Sequence, residues 1–182
     1  YEKDLIKEIG LSNTGPKRLN FLYQKLKERG IKINSIQMQF SLLTKPSIED
    51  EKLKFLCREN NIEYLAYSPL ALGLLTIPPN KSPNSSTFLR QQLFKRILPK
   101  TNELRTVISN IGKKYSASQA QVALNWVRSH GVKPIVGIRS PSQAKDAISA
   151  LNWSLTNNEK DKLDSYRNKC QTYMPQNPFT SP

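Results

Sequence analysis

The sequence predicts an α/β fold built around a parallel sheet, and two observations lead to this prediction. Strand-like segments around Ile9, Gln37 and Tyr67 follow one another at intervals of about 30 residues, the size of one strand–helix–strand unit. The intervals between them carry apolar residues at helical spacing. Repeated units of this kind form a parallel sheet with helices outside it, and right-handed crossovers place the carboxyl ends of the strands on one edge.

The first two units each show a strand followed by the start of a helix. Lys7–Ser12 has the pattern of a short strand that leads into a Ser-Asn-Thr-Gly turn, and Pro16 suits the first turn of the next helix. Gly30 ends that helix. Ser35–Phe40 is the second strand, and Ser47 stands three residues before an acid, at the spacing of a helix N-cap.

The remainder of the chain predicts two more strands and five more helices. After the third strand, residues 76–86 are rich in Pro, Ser and Asn and predict a loop. Thr156 and Glu159 have the spacing of a capping box at the start of the last helix, and Pro175–Pro182 forms a Pro-rich tail. The elements between them are, in order, the strand Ile62–Tyr67, the helices Phe88–Ile97, Asn102–Tyr115 and Ser118–Ser129, the strand Lys133–Ile138 and the helix Ala144–Leu151.

Length and cysteine content limit the class of protein. A chain of 182 residues suits one domain of roughly 100–200 residues. No apolar run approaches the ~20 residues that span a bilayer, so we expect no membrane association. Two cysteines are too few for a disulfide scaffold, which favours a reducing compartment, and we expect the cytoplasm.

The chain is strongly basic, with 28 Lys and Arg against 14 acids and a net charge of +14. Between Tyr64 and Lys145, twelve basic residues stand against a single acid, Glu103. This balance suits a polyanionic partner, such as nucleic acid, an acidic membrane surface or a phosphorylated cofactor, and it is equally typical of a solvated basic surface. No nucleic-acid-binding signature accompanies the charge, so we expect no specific nucleic acid partner.

Polar side chains stand at the carboxyl ends of the four predicted strands. They are Ser12–Asn13, Gln37–Gln39, Tyr67–Ser68 and Gly137–Arg139. Ligands of parallel α/β folds bind at this edge, so these residues predict a binding site. Four units make either an open sheet or half of an eight-unit barrel, which takes ~250 residues. No G-x-G-x-x-G follows any strand, which counts against the open dinucleotide-binding class.

Four segments, in this order, resemble the second half of an aldo-keto reductase, especially the plant and cyanobacterial pyridoxal-reductase-like members. They are Ile9–Asn13, Ile36–Ser41, Leu65–Leu70 and Pro134–Pro141. The resemblance implies a parallel (β/α)8 TIM barrel, of which this chain supplies strands five to eight and their helices. Residues 1–174 would be the C-terminal half of that barrel and 175–182 the tail. Because the sequence opens on Tyr1 without Met, we expect a fragment.

The resemblance also implies that the protein binds NADPH and reduces aldehydes or ketones to alcohols by hydride transfer. Ser12, Asn13 and Gln37 match the positions that hold the nicotinamide carboxamide, a group that paired donors and acceptors suit. Tyr67 matches the aromatic residue on which the nicotinamide ring stacks.

Further segments match the positions that, in the family, contact the phosphates and the adenine end of the cofactor. Ser68, Leu70 and Gly73 match the loop along the pyrophosphate, where small residues let backbone amides approach. Lys81 and Arg90 could fold over that group. The segment that holds the 2′-phosphate and the adenine end is matched by Gly137, Arg139, Ser140 and Gln143.

Arg139 can donate twice to a phosphate, which favours NADPH over NADH. Asp146 takes an acidic position near the adenine, although the family usually has a Glu there. Ala147 departs from the pattern because an Asn that contacts adenine is usual at its position. We therefore expect a weaker contact at the adenine side.

No segment matches the family's catalytic Tyr, Lys, Asp and His, which belong to the first half of the barrel, so we assign no catalytic residue and expect this piece alone to be inactive. His130 follows a helix beside Gly131 and is expected to be its cap, and Cys57 is expected in the core. No metal-ligand spacing is present.

The alternative to a cofactor-binding half of a reductase is a non-catalytic basic module that binds nucleic acid or another polyanion. Unpaired edges of a half-barrel could also support self-association.

Overall fold

The computed structural model describes residues 3, 5–81 and 88–176, with only the backbone of Leu89. These residues form one four-stranded parallel sheet in the order β1-β2-β3-β4, as the sequence predicts. The strands are β1 (Ile9–Ser12), β2 (Ile33–Gln39), β3 (Glu63–Tyr67) and β4 (Lys133–Pro134). The α-helices are α1 (Pro16–Lys27), α2 (Ile48–Glu59), α3 (Phe88–Ile97), α4 (Asn102–Lys114), α5 (Gln119–Ser129), α6 (Pro141–Ser149) and α7 (Asn157–Lys169). Short 3₁₀ helices cover Ala71–Thr76, Pro99–Thr101 and Ala150–Asn152.

Most of the helices begin at residues suited to a helix start. Pro16 is the first residue of α1, as the sequence predicts. Ser47, at the predicted N-cap of α2, and Ser118, before α5, accept backbone N–H groups. Thr156 and Glu159 form the predicted capping box of α7. These contacts satisfy N–H groups that the first helical turn leaves without a partner.

The sheet has one buried face and one half-exposed face. Ile36 and Met38 of β2 are buried, as is Phe40 directly after the strand, while Gln37 and Gln39 between them are half-buried. The buried face packs against the helices, and Trp126 of α5 stacks on Phe40 with ring centroids 5.1 Å apart. This alternation places the polar residues of the strands on the face that the helices leave open.

The fourth strand is shorter than predicted, and this corrects the expected range Lys133–Ile138. Only Lys133–Pro134 pair with β3, although the Ile135 amide still donates to the Ala66 carbonyl at 2.8 Å. Register pairs Leu65 with Lys133, so β3 reaches its last residue, Tyr67, at the level of Ile135. Within the described chain, residues 136–138 have no neighbouring strand residues with which to form backbone hydrogen bonds, because β3 ends at Tyr67 and the chain then leaves the sheet.

Other boundaries differ by a few residues. Strand β1 begins at Ile9 instead of Lys7, and α6 begins at Pro141 instead of Ala144, because Ser140 caps a helix whose first residue is proline. The predicted loop over 76–86 is described only to residue 81, and the tail only to residue 176. No helix in the described ranges has the length and apolar character needed to cross a membrane.

Candidate functional site

An open cleft of about 1160 Å³ lies at the carboxyl edge of the sheet. It runs from Tyr67 at the end of β3 to Arg139 and Gln143 at the start of α6. The loop over residues 68–77, which we call the 68–77 loop, forms one wall together with α3, and the start of α5 forms its floor. The volume is that of a site for a large organic ligand.

Four predicted residues meet at one end of this cleft. Ser12 is in register with Gln37, and the Asn13 amide donates to the Gln37 carbonyl at 3.0 Å. The Tyr67 hydroxyl donates to the Asn13 Oδ1 atom at 2.8 Å. Of these four residues Tyr67 alone lines the cleft, and its bond to Asn13, directly after β1, links the polar group beside the cleft to it.

The 68–77 loop winds tightly through left-handed backbone conformations. Ser68, Ala71 and Leu72 have φ values of 53°, 49° and 56°, and Gly73 has 90°. A non-glycine residue in this region costs on the order of 1 kcal/mol or more, so the surroundings must hold the loop. The Leu70 carbonyl accepts from the Gly73 amide at 2.9 Å and from the Leu75 amide at 3.3 Å, which closes the turn.

Two arginines, Arg90 and Arg105, hold the 68–77 loop by hydrogen bonds to its carbonyl groups. The Arg90 Nη2 atom donates to the Leu72 carbonyl, and its guanidinium lies over the Phe94 ring at 5.3 Å. A Cβ atom on Gly73 would lie 3.3 Å from that same nitrogen, so glycine allows the close approach. Arg90 thus brings a positive charge to the wall of the cleft.

Arg105 fixes the far end of the loop, and nothing in the sequence pattern marks it as special. Its side chain is buried and donates to the carbonyls of Ile77 and Pro78 at 3.0 and 2.7 Å. It also donates to the Leu98 carbonyl at 3.1 Å and to Asn102 at 3.3 Å. Burial lowers the pKa of Arg105.

The opposite end of the cleft is built on the start of α6. Gly137, Arg139 and Gln143 line it, and Arg139 is exposed there. The Gln143 Oε1 atom accepts from the Arg139 amide at 2.8 Å, and the Ser140 hydroxyl accepts from the Gln143 amide at 3.3 Å. The predicted Ser140 is therefore the N-cap of α6 and does not itself line the cleft.

Asp146 lines the cleft as well, but its carboxylate is turned towards α5. It accepts from the Ser118 hydroxyl and from the Gln121 Nε2 atom, both at 2.7 Å. The Gln121 Oε1 atom in turn accepts from the Trp153 indole at 3.1 Å. The sequence places Ser118 at the start of a predicted helix, and nothing in its pattern predicts the contact with Asp146.

Of the twelve predicted site residues, eight line the cleft. They are Tyr67, Ser68, Leu70, Gly73, Gly137, Arg139, Gln143 and Asp146. Ser12, Asn13 and Gln37 adjoin it through Tyr67, and Ser140 supports it from behind. The spacing of the strand ends therefore brings the predicted residues to one edge of the sheet.

His130 and the cysteines lie away from the cleft. His130 caps α5 and contacts Asp164 at 3.2 Å. Burial alone would raise the pKa of Asp164, but hydrogen bonds from His130, Lys160 and Trp126 outweigh it and hold that pKa well below its usual range. Burial raises the pKa of the Cys57 thiol to about 12, so it is not a nucleophile at neutral pH.

The described part of the chain contains no group of three His, Cys, Asp or Glu residues that could hold a metal ion.

Residues 2–168 match the model of the Aldo/keto reductase family. The chain is 40% identical over 179 residues to a chloroplastic pyridoxal reductase of Arabidopsis thaliana, covering 98% of this chain and 48% of that protein. It is 32% identical over 168 residues to a probable aldo-keto reductase 1 of Glycine max, covering 88% and 45%. The chain thus spans about half the length of the curated relatives it matches.

Solved structures show the same fold at lower sequence identity. A thermostable aldo-keto reductase superposes with a TM-score of 0.67 at 19% identity, over 91% of this chain and 50% of that one. The aldose reductase of Schistosoma japonicum gives a TM-score of 0.65 at 18% identity, over 98% and 46%. The four-stranded sheet therefore has the fold of part of a TIM barrel.

Proposed function

The chain belongs to the aldo/keto reductase family, and on this premise we propose that its cleft binds NADPH as part of a carbonyl reductase. When bound, NADPH supplies the hydride that converts an aldehyde or ketone to an alcohol. The four strands would be strands five to eight of the barrel, with residues 1–174 as the C-terminal half and 175–182 as a tail. The catalytic tetrad would lie upstream, so this chain alone would bind the cofactor without turning over substrate.

The residues at the two ends of the cleft suit the two ends of this cofactor. At the sheet end, Asn13 and Gln37 offer amide donors and acceptors for a carboxamide, and Ser12 adds a hydroxyl. Tyr67 offers an aromatic face on which the nicotinamide would stack, and its hydroxyl is held by Asn13.

The middle of the cleft suits a diphosphate. Backbone turns through Ser68, Leu70 and Gly73 leave room for close approach of phosphate oxygens. Arg90 supplies a cation on the same wall. Lys81 lies further along the chain and is exposed, and it would reach the phosphates only if its segment folded over them.

The observation that supports NADPH most strongly is the position of Arg139, at the start of a nine-residue helix and on the wall of the same cleft as Tyr67. A guanidinium binds phosphate by a planar pair of donors, and the positive end of the helix dipole at the start of α6 favours an anion. Gln143 and Ser140 hold the backbone at this end by hydrogen bonds, and Gly137 lines the cleft beside them.

Calorimetric titration of NADPH and NADH tests the proposal without requiring turnover. We expect NADPH to bind about tenfold or more tightly than NADH, since charged hydrogen bonds contribute about 1.5–3 kcal/mol. Arg139→Met should remove most of this preference, whereas the matched control Arg29→Met, at an exposed site after α1, should retain it. Equal binding of both dinucleotides by the wild-type chain would contradict the assignment of Arg139.

The alternative function is a basic module for nucleic acid or another polyanion, favoured by the net charge of +14. It predicts duplex binding that collapses as salt rises, with no affinity for NADPH.

An assay of aldehyde-dependent NADPH oxidation tests whether the catalytic tetrad lies upstream. Robust turnover by the 182-residue chain would refute that placement. The name of the Arabidopsis relative suggests pyridoxal-type aldehydes as the first substrates to test with a complete barrel. Cytoplasmic location stays a prediction.

We also propose that the chain self-associates through the outer edges of β1 and β4, which have no strand partner within the described residues. Unpaired edges attract further strands, and Ile138, Ile148 and Leu151 are exposed beside β4. Sedimentation velocity should show a dimer that Ile148→Lys weakens. The control Ile48→Lys, at an exposed site on α2, should not weaken it. A wild-type chain that remains monomeric would contradict this.

A further inference from the structure

The outward face of α1 carries an exposed aromatic ring. Phe21 is 61% exposed, whereas Leu19 of the same helix is 1% exposed and packs in the core. The two residues are about 160° apart around the helix axis, at 3.6 residues per turn. Phe21 therefore stands on the crest of α1 and points away from the sheet. No residue of α1 lines the cleft, so this face is separate from the proposed cofactor site.

The neighbours of Phe21 on the helix surface are mostly basic. Residues three and four positions away share its face, and they are Lys17, Arg18, Gln24 and Lys25. The sequence of α1 contains four basic residues and no acidic one. Lys25 pairs with Glu28, just beyond the helix, at 3.1 Å. Lys17 and Arg18 have no ion pair with any residue that the structure describes, so their charges face solvent beside the ring.

A second exposed aromatic residue, on α2, provides a comparison. Phe55 is 54% exposed and is likewise opposite a buried residue of its helix, Leu53. Its neighbours at the same spacings are two acids and two bases, whose charges cancel: Glu51, Lys52, Arg58 and Glu59. The two rings are therefore similar in exposure and differ in the charge around them. Charge complementarity predicts an anionic partner at Phe21 and not at Phe55.

The size and chemistry of the α1 face decide which anionic partner suits it. A twelve-residue helix is about 18 Å long, and its crest offers far less area than the ~1,200–2,000 Å² of a stable protein interface. A nucleic acid duplex would neutralise the bases but offers no apolar medium for the ring. The surface of an anionic bilayer offers both, because acyl chains lie directly beneath its charged headgroups.

We propose that α1 binds the surface of an anionic membrane, with Phe21 inserted below the headgroups and Lys17, Arg18 and Lys25 among them. The helix contacts the bilayer and does not cross it. The expectation of no membrane association rested on the lack of a spanning run and does not extend to contact with the surface. Because α1 lies outside the cleft, this binding does not depend on NADPH.

Sedimentation of the 182-residue chain with lipid vesicles tests the proposal. Vesicles of equal parts phosphatidylserine and phosphatidylcholine should bind the chain, and added salt should weaken that binding. Pure phosphatidylcholine should bind at least about twentyfold more weakly, since each basic side chain near an anionic surface contributes about fivefold. Equal binding to both vesicles, or no binding to either, would overturn the proposal.

Two matched variants separate the role of the ring from that of the overall charge of +14. Phe21→Gln should weaken binding to the anionic vesicles about tenfold, because the ring no longer leaves water. Phe55→Gln should weaken it less than about twofold. Equal losses in the two variants, or no loss in Phe21→Gln, would overturn the proposal, since general charge would then account for binding. Both sites are exposed, so urea unfolding midpoints should match that of the wild type.

A double variant and a DNA duplex test the basic residues and the choice of partner. Lys17→Gln combined with Arg18→Gln should weaken binding to the anionic vesicles about twentyfold. An unchanged affinity in this double variant would contradict the placement of these residues among the headgroups. Binding to a random duplex that Phe21→Gln weakens, without binding to vesicles, would assign the face to nucleic acid and overturn the proposal.

Discussion

Replacement of Arg105 by methionine should loosen the wall of the cleft and destabilise the fold. The guanidinium makes four hydrogen bonds, three of them to the carbonyls of Ile77, Pro78 and Leu98. Pro78 is exposed and Ile77 half-buried, so water can replace the lost donor there, and the buried Leu98 carbonyl keeps its bonds from the Thr101 amide and hydroxyl at 3.2 and 3.1 Å. A hydrogen bond from a charged donor contributes about 1.5–3 kcal/mol, so we assign about 2 kcal/mol to the lost bond at Leu98 and about 1 kcal/mol to the bonds at the loop, which water partly replaces.

We therefore expect Arg105→Met to lower the free energy of unfolding by about 3 kcal/mol. Urea denaturation followed by circular dichroism should show the midpoint falling by about 1–2 M with little change in slope. Arg96→Met, at an exposed site on α3, is the matched control and should change the unfolding free energy by less than about 0.5 kcal/mol. A loss below about 1 kcal/mol for Arg105→Met would refute the view that this side chain holds the 68–77 loop.

Three further predictions concern the site and the helices that support it. Burial would raise the pKa of Glu159, but hydrogen bonds from Lys114, Thr156 and Tyr115 lower that pKa to about 2. The ionised carboxylate therefore stabilises the fold at pH values above about 4.5, the usual pKa of the group, and this stabilisation is lost as the pH falls from there to about 2. Acid titration of the unfolding free energy should therefore be shallower in Glu159→Gln than in the wild type, and parallel curves would contradict this. Tyr67→Phe keeps the ring and should change the NADPH dissociation constant less than about threefold, whereas Tyr67→Ala should raise it about tenfold, as calorimetry would show. Burial raises the pKa of Cys57 to about 12, so a thiol reagent at pH 8 should label it only after unfolding; rapid labelling of the native chain at Cys57, located by peptide mass, would contradict its burial.

The order of elements could be predicted because each signal is local. Pro16, Ser118 and the pair Thr156 and Glu159 begin helices through contacts within a few residues, and such contacts depend little on the rest of the chain. The convergence of strand ends followed from the handedness of crossovers, which is nearly invariant.

The parts that could not be predicted depend on contacts between distant segments. The fourth strand ends early because its neighbour β3 turns away, which no pattern within 133–138 records. Arg105 occurs in a helix with an ordinary apolar face. Its hydrogen bonds to the Ile77 and Pro78 carbonyls depend on the path of the 68–77 loop, which the sequence around Arg105 does not record. Asp146 could be placed near the adenine by resemblance, but the bonds from Ser118 and Gln121 depend on how α5 and α6 pack.

Hydrogen–deuterium exchange with and without NADPH tests most directly whether the cleft from Tyr67 to Arg139 is the cofactor site. Bound cofactor should slow exchange in peptides that cover residues 67–77 and 137–147, since these segments form its walls. Exchange in α1 and α2, which lie outside the cleft, should not change. Protection confined to α1 and α2, or no protection anywhere at saturating NADPH, would contradict the account.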